Sequence, residues 1–219
     1  MAVVDLPPDL APVNSFLDLI DQSVVYTDPR TSNALRQFRA QPICRAQLEF
    51  QELCLDKWRA LSGLLDKLRG SVNSIRLHDF SDPGDDFARS GRYFTDGTGF
   101  DDGTFFDEQP IKLVATAAVG GESLVVQTTV PGGIELPAGY KLGLPDDRLY
   151  ITTDAVSLPE GVTATIPIRP GISAEAVAGT QVKTYKPTTR LYRVGADPIP
   201  RDVSKFGSVT LSFTEEPRT

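Results

Sequence analysis

The chain has 219 residues, of which 40% are hydrophobic, and its formal net charge is −7. This length and apolar content are typical of a globular protein with a sizeable core. The negative charge argues against sequence-independent nucleic-acid binding, which depends on lysine and arginine neutralising phosphates. No apolar run is long enough to span a bilayer, so we expect no membrane insertion.

The first quarter of the chain predicts an arm followed by strands. Residues 1–22 contain several prolines and predict an extended N-terminal arm. The β-rich run "SVVYT" (23–27) predicts a short strand, and 33–39 is compatible with either helix or strand. Apolar and polar residues then alternate in "CRAQLEFQEL", which indicates a half-buried strand with Leu48 and Phe50 on its core side.

The two cysteines, Cys44 and Cys54, stand ten residues apart at the ends of that strand. A bridge between them would require the chain to fold back on itself, and two cysteines are too few for a disulfide scaffold. We therefore predict two buried free thiols.

A helix is predicted over residues 56–69. Its apolar stripe combines Trp58, Leu61, Leu65 and Leu68 at helical spacing, which favours core packing over a cofactor site. Asp56 is the expected N-cap, and Gly70 stands where a left-handed residue commonly ends a helix.

The strand "SIRLHDF" follows and contains His78, the only histidine of the chain. Alternation places Ile75, Leu77 and Asp79 on one face and His78 on the other, so His78 and Asp79 should not form an acid–base pair. One histidine and no CxxC spacing exclude a histidine-rich zinc site. No nucleophile–base constellation is found, so we predict that the protein is not an enzyme and holds no cofactor.

Residues 81–109 form an acidic, aromatic segment that we interpret as a connecting arm. From Asp79 to Glu108 there are nine acids and two arginines. Their net charge of −7 equals the formal net charge of the whole chain. The EF-hand spacing is not met, so a solvated acidic loop is favoured over a calcium site. Leaving phenylalanines in water is costly, so we predict that this arm docks on a neighbouring subunit. The assembly-interface candidates are Phe94, Phe100, Asp101, Asp102, Phe105 and Phe106.

From Ile111 onward, short apolar runs are separated by Gly and Pro turns. This pattern predicts an inserted all-β domain over 110–186, either a sandwich or a barrel. The fold class is therefore mainly β with one packing helix (α+β).

The order of these elements resembles the distal tail protein family of long-tailed, siphovirus-like bacteriophages and related tail-tip ring proteins. The resemblance covers about 23–216 and rests on "LEFQEL", "WRALSGLLDKLRGSVNSIRLHDFSDP", "LPAGYKLGLPDDRLYITT", "GVTATIPIRPGI" and "FGSVTLSFTEE". It implies a tail-tube-like β domain, sandwich or barrel, made from 23–80 plus 187–219 and carrying the inserted domain.

The same resemblance implies a function and partners. It implies a structural ring, hexameric by family analogy, in the virion at the distal end of the tail. The ring would connect the tail tube protein to the baseplate hub and receptor-binding apparatus, with the tape measure protein as a further candidate partner. The longer acidic segment departs from the simple crossover that the family would suggest.

A second hypothesis is a carbohydrate-binding or cell-wall-acting β-sandwich module. Sugar sites present aromatic rings with polar neighbours, and the candidates here are Tyr140, Tyr150 and the aromatics of 93–106.

Overall fold

The computed structural model describes residues 2–21, 23–27, 34–38, 41–82, 84, 111–195 and 208–215, with 23–27 and 34–38 described as backbone. These residues form a mainly β structure with one helix, which confirms the predicted fold class. In chain order the elements are β1 (Val3–Asp5), β2 (Asn14–Ile20), β3 (Ser23–Thr27), β4 (Ala34–Phe38), β5 (Ile43–Phe50), α1 (Leu55–Leu68), β6 (Ser74–His78), β7 (Ile111–Leu113), β8 (Ser123–Thr128), β9 (Ile134–Leu136), β10 (Lys141–Gly143), β11 (Leu149–Thr152), β12 (Val156–Leu158), β13 (Thr163–Arg169), β14 (Thr188–Arg193) and β15 (Val209–Thr214).

The chain divides into two compact units. The first comprises Met1–Ser81 together with Thr189–Thr219, and the second is Asp82–Thr188. The predicted insert, 110–186, falls within the second unit, and the predicted connecting arm, 81–109, also falls in it apart from its first residue.

A six-stranded sheet in the order β1-β6-β14-β15-β5-β2 forms the first unit. β5 pairs antiparallel with β15 and with β2, and β1 pairs parallel with β6. Residues 1–22 were expected to form a separate arm, but they supply both edge strands of this sheet. The prolines between 7 and 12 separate β1 from β2, so each short run can pair on its own.

Helix α1 begins one residue earlier than predicted. Cys54 occupies the N-cap position without a side-chain cap, and Asp56 lies in the first turn, where it pairs with Arg59 at 3.2 Å. At the other end Arg69 is left-handed (φ 46°) and donates its N–H to the carbonyl of Leu65 at 3.1 Å. Gly70 is also left-handed (φ 69°), so the predicted stop signal is shared between two residues.

The buried stripe of α1 is rotated relative to the prediction. Leu61, Leu64 and Leu68 are buried, whereas Trp58 and Leu65 are half-buried. Leucines occupy both flanks of the Leu61–Leu68 line, and the Leu64 flank is the buried one. The predicted core residues Leu61 and Leu68 are thus confirmed as buried, and Trp58 and Leu65 lie at the margin of the core.

The alternation in β5 and β6 is confirmed. Leu48 and Phe50 are each 1% exposed, and Leu48 stands opposite Leu211 of β15. In and after β6, Ile75, Leu77 and Asp79 are buried, while the intervening side chains are half-buried.

Only one cysteine follows the prediction. Both thiols are free, and Cys44 is buried in β5, but Cys54 is exposed. The alternation that buries Cys44 ends with the strand, so the position of Cys54 before the helix places it at the surface.

The second unit is a closed barrel. Its sheet has the order β10-β11-β13-β8-β7. The segment 180–183 then bridges β7 through Gln181 and β10 through Lys183. Backbone bonds seal both seams: Val182 donates to Ile111 at 2.9 Å, and Lys183 exchanges two bonds with Gly143 at 2.9 Å. The sequence TQVKTY (180–185) thus contributes isolated bridges that complete the barrel.

The barrel interior holds a continuous apolar core that includes Leu124, Val126, Leu142, Ile166 and Val182, each 0% exposed. β9 and β12 pair with one another as a separate two-stranded sheet. No helix in the described part of the chain is long and apolar enough to cross a membrane.

Candidate functional site

One candidate surface is the outward face of the sheet in the first unit, opposite its buried face. The strand registers align outward residues in two rows across β2, β5 and β15. One row is Phe16, Gln47 and Ser212, and the next is Asp18, Arg45 and Thr214. α1 must cover the opposite, apolar face, because its leucines are buried.

These rows surround an open depression of about 470 Å³. Its apolar lining comes from Phe16, Ile20 and Val194, and Arg45 supplies its charge. Phe16 is 50% exposed and Val194 is 53% exposed, so the depression presents apolar surface to solvent. Such surface is typical of protein interfaces.

Polar and aromatic groups also lie on or next to the strands of this sheet, outside the lining of the depression. Asn14 Nδ2 and Gln51 Nε2 donate to the Glu49 carboxylate at 2.8 and 2.7 Å, and these bonds lower the pKa of Glu49. On the other side, the Arg190 guanidinium lies 5.8 Å from the centre of the Tyr192 ring and donates to Ser74 at 2.7 Å. An apolar centre with a polar rim is the usual anatomy of an interface.

At the end of β6, His78 and Asp79 contact different partners. The His78 ring packs on Phe80, with ring centroids 4.3 Å apart. Asp79 is buried on the other face, where its Oδ1 accepts from the backbone and hydroxyl of Ser81 at 2.9 and 2.6 Å. This carboxylate therefore shapes the turn that leaves β6.

A buried carboxylate that sequence reasoning missed lies at the end of β15. Glu215 is 2% exposed, and its Oε2 accepts from the backbone N–H of Cys44 at 2.9 Å. The Glu215 backbone also donates to the Cys44 carbonyl at 2.8 Å, which extends the β5–β15 ladder. Its position after an alternating strand was a signal for its core-facing direction.

The tyrosines proposed for sugar binding are buried. Tyr140 is 8% exposed and Tyr150 is 0% exposed, so neither offers a ring face for stacking. The Tyr140 hydroxyl contacts the carbonyl of Thr184 at 3.4 Å. The expectation that these two rings form a glycan platform is therefore wrong.

Tyr150 instead belongs to a polar cluster that joins two barrel loops. Its hydroxyl donates to Asp146 Oδ2 at 2.5 Å, Ser173 Oγ donates to the same oxygen at 2.6 Å, and the Ser173 backbone donates to the tyrosine oxygen at 3.2 Å. Burial, followed by the bond to Asp146, raises the pKa of Tyr150 to about 12. A phenol held this firmly in its neutral form is suited to fixing the two loops. The spacing of these residues in the sequence gave no signal for the cluster.

Metal binding has no support in the described residues. They contain no group of three or more His, Cys, Asp or Glu side chains placed to hold an ion. The assembly candidates Phe94, Phe100, Asp101, Asp102, Phe105 and Phe106 lie outside the described residues, as does the acidic loop weighed as a calcium site.

No protein-family model matches the sequence, and no curated protein matches it.

Proposed function

We propose that this protein is a structural component of a phage tail tip, in which copies assemble into a ring connecting the tail tube to the baseplate hub. One observation carries the proposal: β15 pairs between β5 and β14 in the sheet of the first unit. The first unit is therefore made from two chain segments, and the barrel is inserted between them in the sequence. This arrangement is the one that the resemblance to distal tail proteins implies.

The open sheet of the first unit supports assembly. Within the described part of the chain, β1 and β2 each pair with one neighbour, so each leaves one edge for further hydrogen bonding. Exposed edges of this kind are sites at which another chain can add.

The hairpin of β3 and β4 also supports assembly. The two strands pair only with each other within the described residues. A two-stranded hairpin is marginally stable in water by itself, so packing against another subunit would stabilise it.

The partners follow from the same proposal. By family analogy the ring is a hexamer that contacts the tail tube protein, the baseplate hub protein and the tape measure protein. The protein would then act in the virion, at the distal end of the tail, without catalysis.

Size in solution tests the proposal. We expect the purified chain to form a closed ring, seen as a hexamer by light scattering and as an annulus by negative-stain electron microscopy. Phe16→Glu places a charge in the depression and should dissociate the ring. Val162→Glu is the matched control, because Val162 is 51% exposed and lies in the barrel unit. A chain that stays monomeric at all concentrations would contradict the proposal.

The carbohydrate-binding alternative is not advanced, because the structure buries both tyrosines on which it drew within the described residues.

A further inference from the structure

Three lysines form a continuous stripe on the outside of the barrel, at the seam where it closes. Lys112 of β7 stands opposite Gln181, and Lys183 stands opposite Gly143 of β10. Lys141 lies two residues before Gly143 and so points to the same side of β10. Their neighbours Ile111, Leu142 and Val182 are buried, which places the lysines outward; we call Lys112, Lys141 and Lys183 the lysine stripe.

The stripe concentrates positive charge. Lys183 is a diagonal neighbour of the other two lysines across the seams, and such neighbours lie about 7–8 Å apart. A Cβ on Gly143 would lie 3.2 Å from the Pro187 Cβ and 3.4 Å from the Lys183 Cβ, so both residues lie close against β10. Like charges at this spacing repel, and anions bound among them remove that repulsion.

One anion already lies at the stripe. The Asp82 carboxylate is 4.0 Å from the Lys141 ammonium. Asp82 is also the first residue of the second unit, so an acidic stretch of chain starts at this point.

The chain is held at the stripe where that stretch begins. Gly84 is left-handed (φ 73°), and a Cβ there would collide with the carbonyl oxygen of Thr184, the residue after Lys183. The stretch ends at Ile111, whose carbonyl accepts from Val182, the residue before Lys183. Both ends of 85–110 are therefore fixed beside the same short segment of the barrel wall.

The composition of 85–110 complements the stripe. It contains seven carboxylates and two arginines, a net charge of −5. Twenty-six residues fixed at both ends can extend about 45 Å and return, ample to lie along three neighbouring strands. Tethering also gives these carboxylates a high effective concentration at the stripe.

We infer that the lysine stripe is the binding surface for the acidic segment 85–110 of the same chain, in place of the neighbouring subunit predicted from the sequence, and that the attraction is electrostatic. This inference does not depend on the proposed ring, because every residue that carries it belongs to the second unit.

Zero-length carbodiimide crosslinking of the full-length chain tests the inference directly, because the reagent joins a carboxylate to a lysine amine in contact. We expect mass spectrometry to find Lys112, Lys141 and Lys183 joined to carboxylates of 96–108. Lys57 and Lys67 on α1 are the internal control and should give few such products. The stripe products should fall at about 1 M salt, where the Debye length is ~3 Å.

A mixture of isotopically light and heavy chains identifies the source of each crosslink. Products within one isotope class support the inference. Mixed light–heavy products at the stripe would overturn it in favour of docking between subunits, and equal labelling of α1 lysines would overturn it as nonspecific attraction.

Charge reversal supplies an independent measurement. An arginine-specific protease cuts 85–110 at Arg89 and Arg92. Lys112→Glu combined with Lys183→Glu should speed this cleavage about fivefold, the effect of losing two exposed ion pairs. Lys57→Glu combined with Lys67→Glu should leave it unchanged. Equal cleavage of both variants, with circular dichroism showing both folded, would refute the inference.

Discussion

The two units solve the same problem of strand edges in different ways. In the second unit, 180–183 joins β7 to β10, so the sheet closes and its backbone groups pair around the barrel. In the first unit the six-stranded sheet stays open, with β1 and β2 at its edges. An open sheet retains unpaired edge groups that a closed barrel lacks, which is why we propose that assembly uses the first unit.

Their cores do not explain this difference. Leu48, Leu61 and Phe213 in the first unit are as deeply buried as Leu142 and Ile166 in the second. Each unit can therefore be stable through its own apolar interior. The two units differ instead in the strand edges that their sheets leave for pairing.

The largest expected effect comes from matched truncations of the two cores. Leu64→Ala in α1 and Leu142→Ala in β10 should each cost about 2–5 kcal/mol, because each removes a fully buried leucine and leaves a cavity. Calorimetry should show each variant lowering the transition of its own unit. If either substitution lowers both transitions equally, the two cores unfold as one and the comparison fails.

High pH should weaken the barrel more than the open sheet. The pKa of Tyr150 is raised from 10.0 to about 12, so the folded state holds the phenol proton more tightly than the unfolded chain. This contribution, on the order of 2 kcal/mol, is complete below pH 10 and is lost as the pH approaches 12. Thermal unfolding between pH 8 and 11.5 should reveal the loss.

Tyr150→Phe should remove that alkaline loss of stability. Tyr192→Phe is the matched control, since it deletes a hydroxyl from a half-buried ring on the open sheet. An unchanged alkaline slope in Tyr150→Phe would show that the phenol does not lock the loops.

A smaller effect is expected at the end of the open sheet. Glu215→Ala should cost about 1–2 kcal/mol, because the buried Cys44 N–H loses an acceptor that stands 2.9 Å away. Glu215→Gln keeps an acceptor oxygen of similar reach and should be milder. Chemical denaturation of the three proteins measures this, and equal losses in both variants would assign the effect to charge instead.

The smallest effects should be gains. The hydroxyls of Thr184 and Thr189 are buried without a hydrogen-bond partner among the described residues. Thr184→Val in the barrel and Thr189→Val in the open sheet should each stabilise the fold by about 0.5–1 kcal/mol, since valine removes an unpaired polar atom. A loss of stability in the melting curve of either variant would mean that its hydroxyl has a partner.

Local sequence patterns predicted the secondary structure of segments that have one clear hydrophobic period. The alternation in β5 and the apolar period of α1 led to the correct element types, because a half-buried strand and an amphipathic helix have distinct periods. The same reasoning misjudged 1–22, because the three residues of β1 are too few to show a period and the sequence of β2, NSFLDLI, does not alternate.

Sites that depend on distant residues were beyond such patterns. Tyr150 was considered as a sugar-binding ring because sugar sites present aromatic rings with polar neighbours. Its partner Ser173 lies 23 positions away, and Glu215 and Cys44 are separated by 171 positions. Nothing in a local period indicates which remote segments meet.

The sequence alone determined the alternation that makes this chain mainly β and the position of helix α1. It also determined the unequal distribution of charge and the Gly and Pro turns that separate the strands of the inserted unit. These properties are local, since side-chain direction and turn chemistry depend on adjacent residues. Only the tertiary structure decided which leucine flank of α1 is buried, that β15 enters the middle of the first sheet and that 180–183 closes the barrel. Those outcomes depend on which distant strands pair and which side chains share a core. Both are fixed only when the whole chain packs.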